Sequence, residues 1–157
     1  MNNQLQSLLI LGSVAVVGGL VGGIVNNAGS SSNVAKEQQH EAKLRAAEVR
    51  GAARVYREQL ELAADSLEDD RKTGHWPAAQ ELRLFELPPS DDRDLVQSEL
   101  PTAKTEEVTT ADTAMQDIDA YASEHPDEGL SEEDTQYVSE YIEDLHDGAS
   151  ALTKLAD

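Results

Sequence analysis

Side-chain chemistry needs reactive or ligating groups at set spacings, and this chain offers few. It has four histidines: His40, His75, His125 and His146. No two are three or four residues apart, so none pairs on one helix face as metal ligands would. Asp117-Ile118-Asp119 opens like a calcium loop, but Tyr121 and Ala122 stand where a ligand and a glycine are needed. The glycines of residues 8–25 lack the Lys-Ser/Thr that completes a phosphate loop. There is no G-x-S-x-G. With no cysteine there is no thiol nucleophile, disulfide or thiolate metal site. Among 31 Asp and Glu, close carboxylate pairs arise by chance and signal no acid–base machinery. The residues read as a non-enzymatic protein with no catalytic, cofactor-binding or metal site and no cofactor.

Charge divides the chain. Residues 1–57 hold six Lys/Arg against three Glu, a net +3. Residues 58–157 hold six against 28 Asp/Glu, a net −22. The acidic part repels nucleic acid and anionic lipid, so no nucleic-acid partner is expected. The basic stretch suits lipid head groups. An acidic surface with five lysines resembles that of proteins from high-salt cells; the alternative is an acidic tail or a marine bacterial or phage protein.

Leu8 to Val25 reads LLILGSVAVVGGLVGGIV without a charge. From Leu5 the stretch spans about 32 Å as a helix, which matches a hydrocarbon core of about 30 Å. It is expected to be a single transmembrane anchor. A signal peptide would carry a basic start, which MNNQLQS lacks. Ala15, Gly18, Gly19, Gly22 and Gly23 lie at four-residue spacings and offer a helix–helix contact in the membrane. Lys and Arg follow the span and none precedes it, so the C-terminal part is expected on the cytoplasmic side or a particle's interior.

Asn26 to Asn33 is a polar joint, with Ser32 or Asn33 able to cap the helix behind it. Residues 34–72 are helix formers with only Gly51 interrupting. Ala42, Ala46, Val49, Ala53, Tyr56, Leu60, Ala63 and Leu67 alternate at four and three residues, a heptad seam. Ala35 and Gln39 continue it backward. The alanines bury little area, so the seam is either an oligomeric coiled coil or one helix docked on a neighbour. Glu41–Arg45 and Arg54–Glu58 read as i,i+4 pairs along an Arg-bearing face.

Gly74 ends that helix. Residues 73–101 form a Pro-containing segment. In it Trp76, Leu82, Leu84, Phe85 and Leu87 are apolar with no core of their own, and they dock either on a partner or on the chain's own helices. Ser90 to Leu100 suits one short helix. Residues 102–157 read as an acidic helical hairpin. Its first stripe is Val108, Ala111, Met115, Ile118 and Ala122, and its second is Val138, Ile142, Leu145, Ala149 and Leu152. Ser131 and Asp134 resemble a capping box. Gly148 is expected to end or bend the last helix. The fold expected is all-α: a transmembrane helix, a long heptad-patterned helix, then short acidic helices joined by Pro-rich segments.

In layout and composition the chain resembles the minor membrane proteins of lipid-containing viruses from salty habitats. That resemblance implies a structural virion protein tying a lipid bilayer to a protein assembly, through other copies of itself or other membrane or capsid proteins. The Gly-rich start followed by AKEQQHEAKLRAAEVRGAARVYREQLELAA also resembles internal ejection proteins of short-tailed phages, which insert into the host envelope. An accessory subunit of a cellular membrane complex, or a spanin-like lysis protein, shares the same layout.

Overall fold

The computed structural model describes residues 31–125 and 128–157, with side chains from Val34 onward. The expected anchor, with its contact residues Ala15, Gly18, Gly19, Gly22 and Gly23, lies outside the described residues. Among those described, no helix is long and apolar enough to cross a membrane. The chain divides into two compact units, residues 1–41 and 42–157. Of the first unit, residues 31–41 are helical, and the side chains from Val34 to Glu41 are exposed.

Four helices make up the described chain: α1 (Ser31–Thr73), α2 (Ser90–Gln97), α3 (Thr102–Glu124) and α4 (Glu132–Ala156). A short 3-10 turn covers Leu82–Phe85. No strand occurs among the described residues, so the fold is all-α. α1 is already helical at Ser31, inside the stretch read as a polar joint, so Ser32 and Asn33 are helical rather than capping positions. Its end follows the expected chemistry. Gly74 takes φ 77°, where a side chain would be strained. The amides of Gly74 and His75 both donate to the Asp70 carbonyl. Arg71 and Lys72 lie in the last turn, facing the negative end of the helix dipole.

α3 and α4 form the hairpin. Pro101 precedes the first turn of α3, and the amide of His125 closes its last. Ser131 caps α4 through a capping box: its hydroxyl accepts from the Asp134 amide, and the Asp134 carboxylate accepts from the Ser131 amide. Both expected stripes are buried throughout, from Val108 to Ala122 and from Val138 to Leu152.

The core of residues 42–157 is completed by α1. Val49, Ala53, Tyr56, Leu60, Ala63 and Leu67 are buried, all but Val49 in one cluster with the α3 and α4 stripes. This part of the heptad seam therefore packs inside the chain, as one helix docked on its neighbours. The physical reason is proximity: a tethered hairpin with two matching stripes outcompetes a second molecule. Ala42 and Ala46, the start of the seam, are exposed.

Gly148 does not end α4, which runs on to Ala156. It sits where three helices meet. A Cβ built there would lie 2.5 Å from the Ala111 Cβ and 3.2 Å from the Leu60 Cδ1. The missing side chain is what lets α1, α3 and α4 approach at this level.

Arg45 reaches Glu99 at 3.0 Å rather than Glu41. Arg57 pairs with Glu61 at 3.5 Å and with Asp157 at 3.8 Å. The basic face of α1 thus meets carboxylates of the acidic part as well as those of its own helix.

Candidate functional site

The apolar residues of the middle segment are spent on the chain's own core. Trp76 and Phe85 are buried, and Leu82, Leu84 and Leu87 pack against the same cluster. Partner docking through these five residues is therefore corrected to docking on the chain's own helices. The backbone fixes them there. Trp76 donates its amide to the Glu128 carbonyl at 2.9 Å, and Leu130 donates to the Gly74 carbonyl at 2.7 Å. This bridge ties the end of α1 to the loop between α3 and α4.

One polar cluster is buried. Asp112 on α3 is 5% exposed. It accepts from the Tyr56 hydroxyl of α1 and, at 3.3 Å, from the Arg93 guanidinium of α2. Burial pushes the Asp112 carboxyl up, and the bonds from Tyr56 and Arg93 pull it back. Burial, then the Asp112 carboxylate, pushes the Tyr56 phenol well above its ordinary range, so it is a neutral donor. The cluster joins three helices, and its geometry is that of a structural node. Sequence reading passed over it, although Asp112 follows Val108 by four residues and so flanks the α3 stripe.

The exposed aromatic chemistry gathers elsewhere. A cleft of about 280 Å³ lies between the end of α3 and the start of α4, lined by Trp76, Tyr121, Glu133, Asp134, Tyr137 and Tyr141. Tyr121 stacks on Trp76, with ring centroids 5.2 Å apart and planes 26° from parallel. Tyr121 is 51% exposed and Tyr137 46%. The Tyr137 hydroxyl lies 3.3 Å from Glu133 Oε1. Glu133 raises the Tyr137 phenol by its charge and this hydrogen bond. Burial and then the Asp117 carboxylate raise that of Tyr141. The Ser131 cap lowers the Asp134 carboxyl, keeping it ionised. The cleft gathers four aromatic side chains and two carboxylates, and Tyr121 also lies against His125 with ring centroids 5.7 Å apart.

No residue of this cleft except Trp76 entered the sequence-level candidates. A signal was present. Tyr137 and Tyr141 are four apart and share a helix face, and a hairpin returns that face to the end of α3, where Tyr121 lies.

The other exposed feature is the front of α1. Every side chain from Val34 to Glu48 is exposed. Leu44, Val55 and Leu62 are also exposed, and they follow one another at eleven and seven residues along a face distinct from the buried seam. Among the described residues no group of His, Asp and Glu could hold a metal ion. Searches for a matching family model, curated protein or solved structure find none.

Proposed function

We propose that the chain is a non-enzymatic structural tether. Residues 1–25 insert in a bilayer, α1 leads away from it, and residues 42–157 present a helical bundle to a protein assembly. The observation that carries this reading is the exposure of α1 from Val34 to Glu48, which follows the uncharged apolar stretch after the polar residues 26–33. A helix that buries nothing over four turns serves as a spacer rather than as part of a core. The exposed Leu44, Val55 and Leu62 give it an apolar edge for lateral contact with a second copy or another membrane protein. The layout suits a minor virion protein of a lipid-containing particle, with the acidic bundle on the cytoplasmic or interior side.

Alkaline carbonate extraction of membranes from cells expressing the full chain tests the tether. An integral anchor keeps the protein in the pellet. Release of the full chain into the supernatant would contradict the reading.

A further inference from the structure

We propose that the cleft between the end of α3 and the start of α4 binds a small organic cation of the quaternary ammonium class. Four of the chain's six aromatic side chains, Trp76, Tyr121, Tyr137 and Tyr141, line this one depression. Two of them, Tyr121 and Tyr137, are about half exposed in a chain whose surface is otherwise strongly acidic. The faces of aromatic rings attract cations. Glu133 and Asp134 supply the matching charge, and no described residue lining the cleft is basic. The positive end of α4 would oppose a cation, but Glu132, Glu133 and Asp134 occupy that first turn.

The walls decide the class of cation. A bare metal ion needs several converging oxygen ligands, and none is assembled among the described residues. A methylated ammonium is large, weakly hydrated and suited to ring faces. The cleft, at about 280 Å³, has room for such a group.

Trp76 is the only tryptophan, so its emission reports on the cleft directly. The full chain in dodecyl maltoside is titrated with choline chloride, against sodium chloride of equal ionic strength. A parallel titration uses 3,3-dimethylbutan-1-ol, which has the shape of choline without its charge. The expected result is a saturable change with choline and none with the neutral isostere or with sodium. Glu133→Gln and Tyr137→Ala are expected to weaken binding roughly two- to fivefold each, while Tyr137→Phe, which keeps the ring, stays within about twofold. Glu133→Gln and Tyr137→Phe preserve shape, so the test stands even if Tyr137→Ala fails to fold. A linear response, an equal response to the isostere, or unchanged affinity in Glu133→Gln would overturn the proposal. Monomeric dihexanoylphosphatidylcholine identifies the source. Competition with choline shows that a lipid head group enters, and lack of competition restricts the site to free solutes; both support the proposal.

Discussion

Two partly or fully buried carboxylates, Asp70 and Asp112, respond to burial in different ways. Asp70 is pushed up to about 6, first by burial and then by the neighbouring charges of Glu81 and Asp69. One of its oxygens, Oδ2, is buried without a hydrogen-bond partner. The unfolded chain ionises Asp70 near 3.8, so between that value and about 6 the folded state holds the extra proton. Asp70 therefore favours folding most below pH 4, and that contribution is lost as the pH rises through 6. Asp70→Asn should stabilise the fold at pH 7. The residue is partly in solvent and its charge is screened, so the gain is about 1 kcal/mol rather than the whole shift. Urea unfolding at pH 7 and pH 4.5 checks this: the variant's advantage should shrink markedly at the lower pH. Asp112 behaves differently because its charge is answered. Tyr56→Phe leaves that buried carboxylate with Arg93 alone and should cost about 1–3 kcal/mol in the same assay.

At the level of elements, the sequence was legible where periodicity and end signals agree. The stripes of α3 and α4 were readable because apolar residues recur every three or four positions between Pro101 and His125, and again behind the Ser131 cap. The seam of α1 was readable as a seam, but its partner was not. A heptad pattern specifies a buried face and says nothing of whose helix covers it. The same holds for Trp76 and Phe85, whose type marks them as buried but whose burial site depends on the bridge from Gly74 to Leu130. Gly148 was misread because helix propensity treats every interior glycine as a weak point. Only the crossing of α1 with the hairpin shows why it is there. Gly148→Ala should thus destabilise despite the gain in propensity. Propensity offers about 1 kcal/mol, and the clash with the Ala111 methyl, held on a helix backbone, costs about 1–3 kcal/mol or more. Gly51→Ala is the matched control. Nothing lies within 4 Å of its added methyl, so it should gain up to about 1 kcal/mol.

For the molecule as a whole, the charge division was readable from composition and the cleft was not. A net −22 over residues 58–157 needs only counting. The meeting of Tyr121 with Tyr137 needs the hairpin, since sixteen positions separate them in the chain. The tether reading joins the two ends of this polarity: an uncharged apolar start, a basic and exposed stretch of α1, and an acidic bundle whose core is filled by its own helices. Such a bundle should not depend on the start of the chain for its fold. Flotation of purified protein with phospholipid vesicles, comparing the full chain with residues 31–157, tests this most directly. The account predicts that the full chain floats with the vesicles while residues 31–157 stay at the bottom of the gradient, with the same helical circular dichroism and the same thermal unfolding midpoint. A full chain that stays at the bottom, or a shortened chain that floats or loses its helical fold, would contradict it.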